Sequence, residues 1–292
     1  MGYDVHSDIT KAEALIEAIP YIRRFAGTIV VVKYGGSAMV DEELKRSVST
    51  DIAMLKYLGL KPVVVHGGGK EITNTLSRMG KESVFIDGLR VTDEETAAVA
   101  EMVLSGSIGK SLVENLQSVG VQACGINGKD GHTLQTIRKM DPKGRDLGFV
   151  GEVDKVNPEL LNTLMDSGFV PVISPVGVDA FSQTYNINAD YAASAVAGAL
   201  GAQKLIYLTD VEGVMKDMND PSSIIRRLTS GQCRQYIAEG VINGGMIPKV
   251  ECCLDGLDKG VKSVHILDGR IPHSILLEIF TTNGIGTMLT KE

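Results

Sequence analysis

The sequence is short of basic residues, of long apolar runs and of metal-ligand spacings, and each shortage removes a class of function. Lysine and arginine are outnumbered by aspartate and glutamate, 29 to 36, and the formal net charge is −7. A nucleic-acid partner needs a basic face, so none is expected. Nowhere do roughly 18 apolar residues run uninterrupted, so no membrane-spanning helix is expected. The first residues, MGYDVHSDITKAEALIEAI, lack the basic start and apolar run of a secretory signal. Their acidic residues argue against a transit peptide, and the expected location is cytoplasmic. Cys124, Cys233, Cys252 and Cys253 form no C-x-x-C pair, and all four read as reduced thiols. The five histidines are scattered without H-E-x-x-H spacing, so no protein-held metal is expected.

What is present is a pair of β-branched runs that break into glycines: IVVVKYGG at 29–36 and VVVHGGG at 63–69. Continuous apolar runs of this length predict strands buried on both faces, as parallel strands are. Glycines at a strand's carboxyl end let backbone N–H groups approach an anion, and the helix that follows adds its partial positive charge. Two such units suggest two anions, or the two ends of one anionic reaction. Lys33 adds a full charge beside the first glycine pair, which points to phosphoryl transfer.

Along the chain, Ile9, Ala12, Ile16 and Ile19 recur at helical spacing within 7–25, with Ser7 or Asp8 as N-cap and a kink or restart expected at Pro20. This helix either covers its own domain or swaps onto a neighbouring subunit. Helices are predicted at 41–58 and 69–79. Thr92 and Glu95 resemble a capping box that opens a helix from 93 to about 104, and Gly106 interrupts the pattern before a second helix to 119. Residues 121–153 are rich in Gly, Lys and Asp, with turn signals at Asn127-Gly128 and Asp130-Gly131, and read as β-hairpins flanking the main sheet. Strands at 170–174, 205–209 and 261–267 alternate with helices at 158–167, 189–200, 231–239 and 247–260. Alternation of this kind predicts an α/β sandwich with a largely parallel sheet, dividing into lobes near 180–200.

A GKS triplet lies in GSIGKS at 106–111, but a P-loop has four residues between its glycines and follows a strand. It reads as a surface helix junction. More specific is an ordered set: KYGGS, HGGG, GLRVT, NINAD, LTDVEGV and NGGMIPK. Together these resemble the amino-acid kinase family over nearly the whole chain from Ile29, and within it the branch that phosphorylates N-acetylglutamate.

The resemblance implies a three-layer αβα sandwich with a helix at 1–27 for oligomerisation. A lobe at 28–188 would bind acetylglutamate and dimerise, and a lobe at 189–292 would bind ATP and arginine. It implies Lys33 and Lys249 as catalytic lysines, oriented by Asp190. Each lysine has the alternative of a solvated surface residue, and Asp190 that of an N-cap. Gly36, Gly68, Gly69, Arg90 and Asn186 would bind substrate, Arg90 as a carboxylate clamp. Thr209, Asp210, Val211, Glu212, Gly213, Gly244, Gly245 and Met246 match nucleotide-binding loops. Mg²⁺ would arrive with ATP, held by phosphate oxygens and water. The N-terminal helix and the ending HSILLEIFTTNGIGT resemble the arginine-inhibited hexameric branch, a trimer of dimers. Lys204, His273, Glu278 and Gly286 fall in its arginine site, and a PII-type protein is a further partner that the resemblance allows. The alternative reading is a sibling that phosphorylates another small acid, carbamate-like.

Overall fold

The computed structural model describes residues 5–217 and 220–292. The run at 29–36 forms β1 (Ile29–Tyr34) inside an eight-stranded sheet. The order across it is β12 (Arg227–Thr229), β14 (Thr287–Thr290), β13 (Ser263–Asp268), β11 (Lys204–Thr209), β1, β2 (Lys61–His66), β8 (Val170–Ser174) and β5 (Ala123–Asn127). Neighbours run parallel except β13 with β14.

Strand side chains alternate between faces, and the core divides accordingly. Val30, Val32 and Tyr34 of β1 face a layer made of α2 (Glu42–Tyr57), α3 (Gly69–Arg78), α4 (Glu94–Glu101), α5 (Gly109–Ser118) and α10 (Ser274–Phe280). Val31 faces the opposite layer, built from α6 (Glu159–Asp166), α7 (Ala189–Ala199), α8 (Ser230–Ala238) and α9 (Met246–Asp258). Each fully buried Val or Ile side chain stabilises the fold by roughly 1.5–3 kcal/mol. The result is the three-layer αβα sandwich expected.

The local expectations fare unevenly. Of residues 121–153, Ala123–Asn127 is the edge of the main sheet rather than a flanking hairpin, because it pairs parallel with β8. The rest enters a small closed barrel of β6 (Leu134–Arg138), β7 (Val150–Val156), β9 (Val176–Val178) and β10 (Thr184–Ile187). A separate hairpin joins β3 (Phe85–Ile86) to β4 (Leu89–Arg90). Gly106 does not end a helix: Met102–Ile108 continues α4 into α5 as π-helix, a wider turn that accommodates an extra residue. Helix α1 (Val5–Phe25) continues through Pro20. The side chain of Ser7 lies outside the described residues, and Asp8 sits in the first turn rather than at the cap. Ile9, Ile16 and Ile19 of this helix are exposed.

Helix α4 is capped by Asp93, whose Oδ1 accepts the Thr96 N–H at 2.9 Å, and not by Thr92. Thr92 instead donates its hydroxyl to the Arg90 carbonyl at 2.7 Å, and Glu95 pairs with Lys81 at 2.8 Å. Asp93→Ala is therefore expected to cost about 1 kcal/mol of stability, read as a lower midpoint in denaturant unfolding. An unchanged midpoint would remove Asp93 as the cap.

Candidate active site

The carboxyl ends of β2, β1 and β11 stand side by side. From β1 the chain moves to β2 on one side, while β11 pairs on the other. Such a switch in strand order opens a crevice outside the strand ends where ligands bind. Into it project the loop after β1, the glycines after β2, the loop after β11 and the first turn of α7.

Lys33 is the penultimate residue of β1, and its ammonium meets Asp190 Oδ1 at 2.9 Å, with the two side chains only 12% and 20% exposed. The ammonium folds back over Gly35, where a side chain would collide with it. Asp190 is fixed from its backbone: Asn188 caps α7 by accepting the Asp190 N–H at 2.8 Å, and the Tyr207 hydroxyl donates to the Asp190 carbonyl at 3.0 Å. Asn188 thus takes the capping role that was the alternative for Asp190.

Lys249 lies in the first turn of α9, partly buried, and has no carboxylate within ion-pair distance among the described residues. It nevertheless shares an environment with Asp190. Burial, with Asp190 adding to it and Lys249 pulling the other way, pushes the Cys252 thiol up to about 12. The structure therefore joins Asp190 to Lys33 and leaves Lys249 close by but unpaired with it.

A cavity of about 200 Å³ opens beside the pair, lined by Gly68, Gly69, Arg90 and Asn186 and walled with apolar groups such as Phe85 and Leu89. Arg90 is buried and rigidly held. Its Nη2 donates to the Gly69 carbonyl at 2.7 Å and to Thr73 Oγ1 at 2.8 Å, and its Nη1 donates to Ser83 Oγ at 2.5 Å. The guanidinium also stacks 4.7 Å from the Phe85 ring. Three of its five N–H donors are thereby used. Burial lowers its pKa without threatening its charge. Asn186 reaches Thr92 Oγ1 at 3.4 Å, which links the barrel to the Arg90 turn. A Cβ at Gly68 would strike the side-chain ends of Leu104 and Ile108 in the π-helical segment, which would have to shift to admit it.

Gly36 has φ +73°, a conformation that suits glycine, and a Cβ there would run into the Asp210 carboxylate. The next amide, Ser37 N–H, donates to Asp210 Oδ1 at 2.6 Å. One carboxylate thus ties the loop after β1 to the loop after β11. A second cavity of about 210 Å³ is lined by Asp210, Val211, Glu212, Gly213, Met246 and Arg270, among others. Thr209 is buried behind it, its hydroxyl accepting the Val211 N–H at 3.2 Å. Gly244 and Gly245 lie on the turn into α9 rather than in the lining.

A third cavity, of about 320 Å³, separates α1 from the C-terminal segment and is lined by Arg24, Phe25, Lys204, His265, Glu278 and Gly284, among others. Lys204 donates to His265 Nε2 at 3.0 Å and faces the Phe25 ring at 4.9 Å. His265 Nδ1 then donates to Glu278 Oε1 at 2.7 Å, while Glu278 Oε2 accepts the N–H groups of Ile285 and Gly286. Burial lowers Lys204 to about 8. Burial pushes Glu278 up, but His265 and the two amides outweigh it and leave the carboxyl below its usual range.

Of the four residues expected together here, Lys204 and Glu278 are joined through His265, and Gly286 contributes its N–H. His273 is elsewhere: its Nδ1 lies 2.6 Å from Asp51 Oδ1 on α2. The histidine beside Lys204 is His265, and Gly284, not Gly286, lines the cavity. Ser263 and His265 share one face of β13, and Ser263 stands in register with Lys204, a pairing of distant strands that no local pattern announces.

Residues 28–268 match the Amino acid kinase family. The chain is 54% identical over 289 residues to acetylglutamate kinase of Pelotomaculum thermopropionicum, covering 96% of this chain and 98% of that one. It also resembles the N-acetylglutamate synthase of Neisseria gonorrhoeae in complex with coenzyme A and N-acetyl-glutamate, with a TM-score of 0.83 and 28% identity. That superposition covers 96% of this chain but 63% of the synthase. The same synthase in complex with coenzyme A and L-arginine gives 0.81 at 26% identity, covering 96% and 65%.

His66, at the end of β2, is buried and spends its ring on structure: Nε2 lies 2.9 Å from Ser174 Oγ and Nδ1 2.9 Å from the Gly67 carbonyl. Burial drops its pKa to about 4 from an ordinary 6.5. The unfolded chain therefore binds the extra proton in that window, and stability present above pH 6.5 is lost as pH falls toward 4. The gap is worth about 3 kcal/mol. Buried Asp51, raised to about 6, acts in the opposite sense, so the effect is read as a difference between two proteins. His66→Asn is expected to flatten the acid limb of unfolding free energy against pH. Parallel limbs in wild type and variant would contradict a neutral His66.

Proposed function

The chain belongs to the amino acid kinase family, and on that premise we propose that it transfers the γ-phosphoryl group of ATP to the side-chain carboxylate of N-acetyl-L-glutamate. It is an enzyme, a phosphotransferase. The supporting observation is the Lys33–Asp190 pair, set in the wall of the Arg90 cavity next to a glycine loop whose far side meets Asp210.

A carboxylate with a pKa of about 4 is already ionised at neutral pH, so the acceptor needs no general base. One of its oxygens attacks the γ-phosphorus, the bond from that phosphorus to the bridging oxygen breaks, and ADP leaves with the electron pair. The obstacle is repulsion between two anions, and catalysis consists of positioning and positive charge. Lys33 neutralises the group in flight, and Lys249 the leaving β-phosphate. Asp190 orients Lys33, and Gly36, Gly68 and Gly69 offer amides. The two donors that Arg90 keeps free hold the substrate's α-carboxylate, with Asn186 alongside. The cavity by Asp210 to Gly213 takes the nucleotide, whose Mg²⁺ is held through phosphate oxygens and water. On this reading 28–188 and 189–292 act as acceptor and nucleotide lobes.

The third cavity is assigned to feedback by arginine, which the gonococcal synthase binds. Lys204 suits an α-carboxylate and Glu278 a guanidinium. The exposed apolar stripe of α1 is assigned to packing on another subunit of a hexamer.

Hydroxylamine traps an acyl phosphate as a coloured hydroxamate. Colour with N-acetylglutamate supports the proposal; colour only with carbamate or another acid would move the chain to a sibling activity. Lys33→Ala is expected to lower kcat by two orders of magnitude or more while the KM for ATP changes only a few-fold, on the order of other removed transition-state charges. An unchanged kcat takes Lys33 out of the reaction. Activity titrated with arginine should fall, and Glu278→Gln should abolish that fall while activity persists. A wild type indifferent to arginine would end the regulatory reading and leave the catalytic one standing.

A further inference from the structure

The acceptor cavity is roofed on one side by the β3–β4 hairpin, the smallest sheet in the fold. Its ladder is two residue pairs, Phe85 with Arg90 and Ile86 with Leu89, extended by one bond from the Val91 N–H to the Val84 carbonyl at 2.9 Å. Asp87 at φ +47° and Gly88 at φ +80° make its two-residue turn. A two-stranded hairpin is marginal in water on its own, yet Phe85, Gly88, Leu89 and Arg90 all line the cavity. Something beyond its own ladder must keep it in place.

At its base it is stitched to the chain before β7. Thr92 N–H donates to the Leu147 carbonyl at 3.0 Å, and Phe149 N–H to the Thr92 carbonyl at 2.6 Å. The tip is held by charge. The Asp87 carboxylate accepts Arg145 Nη2 and lies 3.4 Å from Lys143 Nζ. Arg145 is not a loose surface arginine. Its Nε and Nη2 grip both oxygens of Asp141 at 2.7 and 2.9 Å, and its own N–H donates to Asp141 at 3.0 Å. Asp141 is itself 7% exposed at the side chain, so the fork is aimed before the hairpin arrives.

We propose that Arg145, set by Asp141, latches Asp87 and so holds the β3–β4 hairpin closed over the acceptor, making it a positioning residue for the carboxylate substrate. The Asp87 side chain is 62% exposed, and an exposed pair adds little to global stability. It acts instead on a local opening, where the free energy at stake is small. If the acceptor is retained only under the closed hairpin, the apparent affinity falls by the fraction of time the hairpin is open. This rests on the reading that the Arg90 cavity takes N-acetylglutamate. The latch itself does not depend on which acid enters.

The test compares wild type, Asp87→Asn, Arg145→Gln and the double variant in the hydroxamate assay, at about 20 and 500 mM salt, either side of strong screening. Asn tolerates the left-handed conformation at 87, so the hairpin turn survives. At low salt each single variant is expected to raise the KM for N-acetylglutamate about three- to tenfold. The KM for ATP and kcat should stay within about twofold, and the double variant should be no worse than either single, as for one shared interaction. High salt should raise the wild-type KM to the variants' level and leave theirs alone. Unchanged KM at low salt, or equal loss for ATP, overturns the latch. Hydrogen exchange without substrate tests it separately: amides at 85–91 should exchange faster in Arg145→Gln, and equal protection again overturns it. Faster exchange in a protein that makes no hydroxamate from N-acetylglutamate would uphold the latch and reject the acceptor.

Discussion

An ammonium placed near the end of a strand buried on both faces is costly unless a carboxylate meets it, and the architecture of the site follows from that requirement. Among the described residues Lys33 has one such partner, Asp190, and Asp190 reaches it because α7 starts where it does. The start is set by Asn188, and the helix lies close to the sheet because Ala192, Ala193 and Ala197 need almost no room. The barrel strand β10 ends one residue before that cap and carries Asn186. Satisfying one charge thus brings the barrel, the small-residue helix and the central strand to a single point.

Around that point the polar groups fall into two sets. His66, Asn188, Thr209 and Tyr207 spend their hydrogen-bonding capacity on neighbours and hold shape. Lys249, part of the Arg90 fork and the amides of Gly68 and Gly69 keep capacity toward the cleft, while the Gly67 N–H is spent on the Tyr34 carbonyl. A phosphotransferase needs the second set to be rigid before its substrates arrive, since donors that must reorganise lose most of their advantage. Arg90, fixed by three hydrogen bonds and an aromatic face, meets that need.

Much of this was legible in the residues, and the failures have physical causes. The runs at 29–36 and 63–69 announced parallel strands because apolar groups had to be hidden on both sides. The cap of α4 was misread because two acceptable pairs, Thr92 with Glu95 and Asp93 with Thr96, differ by one residue. Lys81 pairs with both Asp93 and Glu95 and does not separate them, whereas the Thr92 hydroxyl is spent on the Arg90 carbonyl and leaves the cap to Asp93. Ala123–Asn127 looked like a hairpin because glycine and the turn signals beside it dominate composition, whereas its pairing with β8 is a long-range event. His265 was passed over for His273 for the same reason: both histidines are close to Glu278 along the chain, and only the register of β11 on β13 decides which one meets Lys204. The grip of Arg145 on the β3–β4 turn spans 58 residues and leaves no local trace.

The alternation along β1 carries one more implication. Val30, Val32 and Tyr34 look to one helical layer, Val31 and Lys33 to the other. Replacing one of these valines with another aliphatic perturbs packing by an increment. Adding or removing one residue upstream of Lys33, in contrast, inverts every side chain beyond it. The ammonium would then point into the apolar layer around Ile52 and Ile206, with tyrosine in its place. The strand is thus forgiving of composition but not of length, so insertions and deletions, rather than substitutions, are what divergence in this segment must avoid.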